Sequence, residues 1–455
     1  MRKTFIPYSV LVLFIFLVAF SRTGVGVSIY GFKIGEMLIG GSIINIFYVS
    51  YIAIYKKKYK SLNSFEKALL GFLYYCVALL LFNFDFSLYS IKQFAFVLNH
   101  FWYFSVSFYI KENKINITEG FILKTLIFCY TIMTLKVLSY DTVSIILNLF
   151  SELSDKPTHF FRRPEQILIS VTLFSILISK KDNKSVFFGF FIYGFMFFQV
   201  FGYSRAVLLS FLSALACGLI YLSKQSSINQ IFSYLIFLFF IFGLSFYFLQ
   251  HLRVENYTEI YTIEETGTVP IDQENEETRA TIENSRTRDI NDFRNKIELS
   301  VENAEYDQFI QSNDTQWRFS IWSESIKYQT KSVPLFIFGL SFSEPIPSML
   351  VPGRGGTFNL NENVHNFLIT VFVRTGIVGL LLYLLFLLFL FISYIKNIQN
   401  RKYFILFNVF QSVFIAAFFD VVFESVTAPI LFFITIGIIS SLNFKSSEST
   451  KMKRQ

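Results

Sequence analysis

The feature that most constrains this chain is a series of long apolar runs without charge. Residues 230–250, QIFSYLIFLFFIFGLSFYFLQ, contain no charged side chain and match the roughly 20 residues with which a helix crosses the hydrocarbon core of a bilayer. A helix in a soluble core would carry a polar stripe, and this segment has none. Because lipid offers no partner to backbone groups, such runs form helices or the strands of a closed barrel. Barrel strands are alternating segments of about 10 residues, so the runs predict helices.

The composition agrees with a protein that lies in a membrane. Of 455 residues, 53% are hydrophobic and 16% are charged, whereas a soluble domain carries roughly 25% charged residues. The three cysteines fall inside apolar runs and form no CxxC pair, which predicts small core residues rather than a disulfide or a zinc site. No Ala-x-Ala-like cleavage site follows the first run, which favours a membrane span over a secretory signal.

The apolar runs and the charged breaks between them predict an all-α polytopic integral membrane protein with about twelve transmembrane helices. We expect helices one to nine within residues 1–249, a large polar loop at 250–364, helices ten to twelve within 365–442 and a tail at 443–455. The expected spans are 4–20, 34–55, 68–82, 91–110, 120–138, 165–179, 186–201, 206–223, 229–249, 366–395, 403–419 and 427–442.

Lysine and arginine collect in alternate breaks, which predicts the orientation. The richer set of breaks indicates the cytoplasmic side, so both termini are expected in the cytoplasm and the large loop outside it. The net charge of +8 is interpreted as a topology signal that also meets anionic lipid, and no motif predicts nucleic-acid binding. The richer breaks hold Arg2 and Lys3; Lys56, Lys57, Lys58, Lys60 and Lys67; Lys111 and Lys114; Lys180, Lys181 and Lys184; Lys224; Lys396, Arg401 and Lys402; and Lys445, Lys451, Lys453 and Arg454.

The large loop has two parts. Its first part is acidic and then arginine-rich, as is typical of a solvated surface. Further on, WRFSIWSESIKYQTK (317–331) repeats Phe319, Trp322 and Ile326 at helical spacing. We therefore expect an amphipathic helix at the membrane interface, with Trp317 and Trp322 as anchors or, alternatively, as stacking surfaces for sugar rings.

Single polar residues at the outer ends of spans are the candidates for chemistry. Arg205 opens a predicted helix, where a guanidinium and the helix dipole suit a phosphate, although snorkelling to the interface is the alternative. Arg318 begins the amphipathic helix. His365 precedes Asn366 at the aqueous boundary and can accept a proton near neutral pH, or can simply hydrogen-bond in place.

In chain order, SRAVLLSFL (204–212), the long loop, Arg-x-x-x-Trp (318–322), FGLSF, HNFL and TGIVGLLLYL resemble the O-antigen ligase and O-antigen polymerase (Wzy-type) superfamily over residues 200–390. The resemblance implies a GT-C-like membrane fold that transfers a glycan from undecaprenyl pyrophosphate to a hydroxyl, with inversion and without a metal or cofactor. It implies a bacterial inner membrane location with the active site facing the periplasm. The implied partners are lipid-linked oligosaccharides, membrane lipid and a chain-length regulator protein.

The resemblance also implies roles for individual residues. Arg205 and Arg318 would hold the pyrophosphate, and His365 would act as the base or orient the acceptor. The chain departs from the family at Ser341, where a second glycine is frequent, and at Arg374, where an acidic residue is frequent. The further expected substrate contacts are Tyr203, Tyr328, Asn366, Arg374 and Glu424, with Glu362, Asp420 and Glu424 as substitutes for the missing carboxylate. Glu424 alternatively lies exposed in a short turn.

The leading hypothesis is a polymerase of lipid-linked repeat units, favoured by the long charged loop. A ligase that moves polymer onto lipid A core fits the same motifs. A lipid-linked oligosaccharide flippase or transporter is a third possibility, but such proteins have two similar halves, which the single large loop does not suggest. A non-catalytic sensor or scaffold is the fourth.

Overall fold

The computed structural model describes residues 14–17, 25–29, 32–82, 88–138, 163–180, 182–201, 205–252, 314–344, 346, 364–419, 422–423 and 425–442. These residues are mostly helical. A short antiparallel ribbon pairs β1 (Ser28–Ile29) with β2 (Phe32–Lys33), with Ser28 opposite Lys33.

Besides short helical stretches at 14–17 and 25–26, nine α-helices lie before the large loop within these ranges, and five follow from residue 314 onward. The first nine are α1 (Ile34–Ser50), α2 (Ser64–Phe82), α3 (Leu88–Leu98), α4 (Phe101–Glu112), α5 (Glu119–Leu138), α6 (Arg163–Ile178), α7 (Asn183–Phe201), α8 (Arg205–Ser223) and α9 (Ile228–Leu252). The others are α10 (Asp314–Gln329), α11 (Val333–Phe338), α12 (Phe367–Lys396), α13 (Arg401–Phe419) and α14 (Thr427–Ser441). Helix α1 continues into a π-helical segment, Tyr51–Tyr55.

Six of these helices are long and apolar enough to cross a membrane: Ile34–Tyr55, Ser64–Phe82, Ala206–Ser223, Ile228–Ser245, Phe367–Lys396 and Arg401–Phe419. Two shorter apolar helices, Pro164–Ile178 and Thr427–Ser441, also lie where spans are predicted. These helices support a multi-pass helical membrane protein. The count of twelve stays a prediction. Most of the first expected span and the first part of the large loop, 253–313, lie outside the described residues.

The expectation of one continuous helix over 91–110 is wrong. Helices α3 and α4 are separated by a turn at Asn99–His100. The fully buried His100 ring packs among aromatic rings, 4.1 Å from Phe433 and 6.0 Å from Phe367 between centroids, and its Nδ1 lies 2.7 Å from the Phe96 carbonyl oxygen. This packing and hydrogen bond hold the ring at the turn.

Breaks that the charge pattern assigns to one side meet at one end of the helix bundle, which we call the lysine-rich end. The loop after α1 meets the end of α4, and the start of α5 meets both the α6–α7 loop and the start of α13. The ion pairs are Lys56–Glu112 at 2.9 Å, Lys58–Glu112 at 3.0 Å, Lys180–Glu119 at 3.8 Å and Arg401–Glu119 at 2.9 Å. Such exposed pairs contribute little stability, but their positions show that these loops share one end.

Helix α12 is broken at Gly376, near the opposite end of the bundle. This glycine has φ 64° and ψ −169°, a conformation that is essentially restricted to glycine. The carbonyl groups of residues 372–375, in the last turn before the break, accept hydrogen bonds from other parts of the chain. The segment after the break, residues 377–396, is by itself about as long as a bilayer core requires.

Three neighbouring segments supply the donors for these carbonyls, an arrangement that we call the carbonyl clasp. They are the end of α10, the turn after α11 and the middle of α2. The hydrogen bonds run from Gln329 Nε2 to Phe372 O at 3.3 Å and also to Val373 O, from Leu340 N to Val373 O at 2.8 Å, from Ser341 N to Arg374 O at 3.0 Å and from Tyr75 Oη to Thr375 O at 3.0 Å. Because unsatisfied carbonyls are costly in an apolar surrounding, the clasp stabilises the break.

The turn after α11 packs directly on the backbone at the break, and this close approach requires a second glycine. Gly339 has φ 77° and ψ −175°, and a Cβ at this position would lie 2.5 Å from the backbone nitrogen of Gly376. A Cβ at Gly376 would in turn overlap the carbonyl of Ile337. Ser341, where the resemblance leads us to expect a glycine, has φ 60°, in the left-handed region that favours glycine. The segments FGLS (338–341) and TG (375–376) therefore pack against each other through their backbones.

We expect Gly376→Ala to destabilise the protein by at least about 2 kcal/mol, because alanine is strained at this φ and ψ and its Cβ has no space. The yield of monodisperse protein and the thermal unfolding midpoint in detergent would measure this. Gly71→Ala in α2 is the matched control, since a Cβ there meets nothing within 4 Å, and it should be neutral or slightly stabilising. Equal behaviour of the two variants would contradict the account of the break.

Candidate functional site

Helix α10 buries one face against the bundle. The face consists of Trp317, Ile321, Ser325 and Gln329, spaced four residues apart, and each is at most 6% exposed. This face packs on Val373 of α12, on Leu340 and on Val364 in one apolar cluster. The helix predicted at 317–331 is confirmed, but its inward face is a different one from the Phe319, Trp322 and Ile326 stripe.

The predicted role of Trp317 and Trp322 as interfacial anchors is wrong for Trp317 and unsupported for Trp322. Trp317 is 6% exposed, and the half-buried Trp322 donates from Nε1 to the Val364 carbonyl at 2.9 Å. The exposed apolar side chains of α10 are instead Phe319, at 60%, and Ile326, at 44%. The inward face includes the polar Ser325 and Gln329, so hydropathy alone did not predict that Trp317 is buried there.

His365 is fixed by its two neighbours in the chain. It has φ 55°, which is uncommon for a residue other than glycine. Val364 before it is fully buried and bonded to Trp322, and Asn366 after it caps α12, where its side-chain Oδ1 accepts from Ile369 N at 3.2 Å. The anchored neighbours thus hold His365 in a half-buried position at the start of α12.

The His365 ring lies against Trp317, with centroids 5.1 Å apart and planes at 62°. Arg318 is the next residue along α10 and is also half-buried. The ring contact therefore brings the turn of α10 that carries Arg318 to the start of α12. Of the candidate residues, the structure brings Arg318, His365 and Asn366 into one region.

Tyr328 lies further along α10 beside the same apolar cluster. Lys331 Nζ is 5.3 Å from the centroid of its ring. Burial raises the pKa of Tyr328, and the negative charge of Glu344 raises it further. The phenol is therefore protonated at neutral pH and can donate a hydrogen bond.

Arg374 is 1% exposed, and its guanidinium is occupied by protein groups. Nη1 donates to the carbonyls of Ser341, at 3.1 Å, and Glu344, and Nη2 donates to Gln93 Oε1 at 2.8 Å. These bonds tie α12 to the segment after α11 and to α3. The arrangement suits a residue that positions the site through the backbone.

Arg205 is the first residue of α8, as predicted, and its side chain lies outside the described residues. Helices α8 and α13 pack antiparallel, with Gln411 Nε2 donating to the carbonyl of Ser213 at 3.1 Å. The stacked rings of Tyr221, near the end of α8, and Phe404, near the start of α13, show that the start of α8 lies toward the Phe419 end of α13. The neighbouring Phe418 ring is 6.5 Å from that of Trp322 in α10. The start of α8 and the Arg318 helix therefore both lie at the same end of α13.

The remaining candidates lie outside the described residues: Tyr203, Glu362, Asp420 and Glu424. Phe423, just before Glu424, has its ring 5.0 Å from that of Phe367 at the start of α12. The loop that carries Glu424 therefore meets the helix that begins after His365.

Sequence reasoning missed the donors of the carbonyl clasp. Gln329 continues the four-residue spacing that begins at Trp317. This spacing could have predicted that the Gln329 side chain lies on the same face of the helix as Trp317. The donor Tyr75, and Gln93, which accepts from Arg374, lie in predicted spans far away in sequence and gave no signal of their own.

Residues 188–384 match the family model for O-antigen ligase. The match covers α7 to the first half of α12 and includes Arg205, Arg318, His365 and Arg374. It confirms the predicted resemblance to the O-antigen polymerase and ligase superfamily, whose members are membrane glycosyltransferase-like enzymes that act on lipid-linked oligosaccharides. A search of curated proteins gives no match.

We expect Trp322→Phe to loosen the start of α12, because it keeps an aromatic ring but removes the hydrogen bond to Val364, worth about 1 kcal/mol. Hydrogen–deuterium exchange of the peptide that contains residues 364–372 should become several-fold faster. Phe319→Leu, on the exposed face of α10, should leave this exchange unchanged. Exchange as slow as in the unaltered protein would show that the bond does not hold His365 in place.

Proposed function

We propose that this protein, which carries an O-antigen ligase domain at residues 188–384, is a membrane glycosyltransferase that polymerises undecaprenyl-pyrophosphate-linked oligosaccharide repeats into a surface polysaccharide. The observation that carries the proposal is the contact of Trp317 with His365. This contact joins a cationic helix turn, at Arg318, to a half-buried imidazole within the matched region.

The cationic part of the site receives the leaving group. When the bond between the anomeric carbon and the phosphate oxygen breaks, its electron pair goes to the pyrophosphate, and negative charge grows there. Arg318 and Arg205 offer guanidinium donors that remain charged at any relevant pH. The N-terminal end of α8 adds backbone N–H groups and a favourable dipole beside Arg205. Loss of one arginine should lower turnover on the order of 100-fold or more.

The imidazole serves the acceptor. A sugar hydroxyl attacks the anomeric carbon from the face opposite the pyrophosphate, forms the new glycosidic bond and inverts the configuration. A ring nitrogen of His365 takes the proton that the hydroxyl releases, for a further ~100-fold or more. Trp317 fixes the plane of the ring, and Asn366 fixes the backbone that carries it. Because pyrophosphate is already a good leaving group, the two arginines supply the charge neutralisation that this mechanism needs, without a metal.

The other candidate residues act around this centre. Tyr328, Tyr203 and Glu424 are proposed as contacts to the substrate, with Glu362, Asp420 or Glu424 as the carboxylate partner of His365. Arg374 was expected to contact substrate. Its hydrogen bonds to Ser341, Glu344 and Gln93 favour a positioning role, through which it would align α12 with the turn after α11.

In the cell, we place the enzyme in the bacterial inner membrane, with a GT-C-like fold and its site toward the periplasm. The lysine-rich end then faces the cytoplasm together with both termini, in agreement with the positive-inside rule. A chain-length regulator protein is the proposed protein partner.

A ligase that transfers finished polymer to lipid A core is the alternative within the same family. Both reactions use the same lipid pyrophosphate donor and differ in the acceptor. The long charged segment between α9 and α10 favours the polymerase. A flippase or transporter is less well supported, because the matched domain is of the O-antigen ligase type.

Arg205→Ala, Arg318→Ala and His365→Ala should each abolish chain growth on a purified lipid-linked oligosaccharide while leaving the amount of folded protein unchanged. Arg318→Lys should restore only part of the activity, because an ammonium lacks the planar fork of donors. Lys396→Ala, at the exposed lysine-rich end, is the control and should be fully active. Full-length polymer from all three alanine variants would refute the assigned site.

Repeat units supplied without any lipid A core separate the two family activities. A polymerase lengthens them, as a ladder on a gel would show, whereas a ligase leaves them unchanged. NMR of the new linkage should show inverted anomeric configuration, and a chelator should not slow the reaction. Unchanged repeat units from an active preparation that instead glycosylates lipid A core would favour the ligase.

A further inference from the structure

A cavity of about 440 Å³ lies within the bundle, away from the candidate site. Helices α1, α4, α5 and α14 form its walls, in the half nearer the lysine-rich end. Its lining is almost entirely apolar and includes Ile44, Trp102, Val106, Ile122, Leu126 and Ile438. Its volume is within the roughly 300–1,000 Å³ of typical ligand pockets.

The cavity is open toward the side of the bundle. Ile44 on α1 is 68% exposed, and Phe121 on α5 is 39% exposed, and both line the cavity. These side chains belong to helices at predicted membrane spans, so the opening faces lipid. An apolar chain can therefore enter from the bilayer.

Two polar groups within this apolar lining have no hydrogen-bond partner among the described residues. Ser105 is 6% exposed and its hydroxyl is unpartnered, as is the buried amide nitrogen of Asn45. Both groups can donate, and buried donors are normally satisfied. A ligand that satisfies them must carry a hydrogen-bond acceptor as well as an apolar chain. A glycerolipid, with its ester carbonyls and acyl chains, has both.

Cationic residues are next in sequence to lining residues in the part of the cavity nearer the lysine-rich end. The exposed Lys111 and Lys114 are next in sequence to the lining residues Ile110 and Ile115, and the exposed Lys124 is next to the lining residue Thr125. Ser105 lies seven residues before the end of α4, about 10 Å deeper in the helix. Ser105 thus lies deeper than the lysines, in the same order in which the ester groups of a lipid lie below its phosphate.

The acidic residues near this rim do not cancel the charge, since Glu112 and Glu119 each pair with two cations. Glu112 is bonded to both Lys56 and Lys58, and these hydrogen bonds lower the pKa of Glu112. Two lysines thus meet one carboxylate, and Lys111, Lys114 and Lys124 add to the positive rim. Basic pockets between membrane helices favour anionic lipid headgroups.

We propose that this cavity is a binding site for an anionic glycerophospholipid. One acyl chain occupies the apolar cavity, its ester carbonyls accept hydrogen bonds from Ser105 and Asn45, and its phosphate lies among the lysines. The site is separate from the candidate catalytic region and does not depend on the proposed reaction.

Native mass spectrometry of the full-length protein in detergent tests the proposal with added phosphatidylglycerol and phosphatidylcholine. The unaltered protein should retain one phosphatidylglycerol in preference to phosphatidylcholine. Ser105→Phe, which fills the cavity, and Asn45→Leu, which removes the amide, should lose this lipid. Ile236→Phe, on the lipid-exposed face of α9, is the matched control and should retain it.

A Lys111→Gln, Lys114→Gln double variant keeps the cavity and should lower the preference for phosphatidylglycerol roughly tenfold. Retention by the filled-cavity variant, or an unchanged preference in the double variant, would overturn the proposal. Displacement of phosphatidylglycerol by an equal concentration of undecaprenyl phosphate would also overturn it, since the occupant would then be a polyprenyl lipid.

Discussion

The candidate site depends on how the carbonyl groups before Gly376 are satisfied. A break in a membrane-spanning helix exposes backbone acceptors, and leaving them unbonded in an apolar surrounding costs several kcal/mol. Gln329, Leu340, Ser341 and Tyr75 provide the donors, from three segments distant in sequence. The broken helix α12 and the helices α10 and α11 that pack on it therefore form one structural unit.

This unit explains how the candidate residues Arg318 and His365 are held in place within a loop region. The carbonyl clasp fixes α10 on α12, and α10 then supplies Trp322 to Val364 and Trp317 to the ring of His365. Arg318 follows from the same helix turn. In the proposed reaction, the protein contributes mainly preorganised positive charge and a positioned general base. Both contributions require that the side chains are held accurately in place. Arg374, bonded to the same turn and to Gln93, reinforces the unit from the side of α3.

The sequence predicted the helices well and the backbone contacts poorly. Apolar runs determine where helices lie, because the bilayer leaves few alternatives, and most described helices match expected spans. The breaks at Asn99–His100 and Gly376 depend on packing and on donors from other segments, which hydropathy does not contain. The roles of Trp317 and Arg374 depended on tertiary contacts for the same reason. Arg318 was predicted from its place at the start of the amphipathic helix and His365 from its place at a span end, both together with the family resemblance. The ring contact of Trp317 with His365 brings these two regions together.

The most direct test of the central claim is a cryo-electron microscopy structure of the protein with a lipid-linked oligosaccharide bound. The account predicts the pyrophosphate within hydrogen-bonding distance of the Arg318 guanidinium and the sugar at the His365 ring, with α12 still broken at Gly376. A pyrophosphate bound at the lysine-rich end, or anywhere beyond the reach of Arg318, would contradict it.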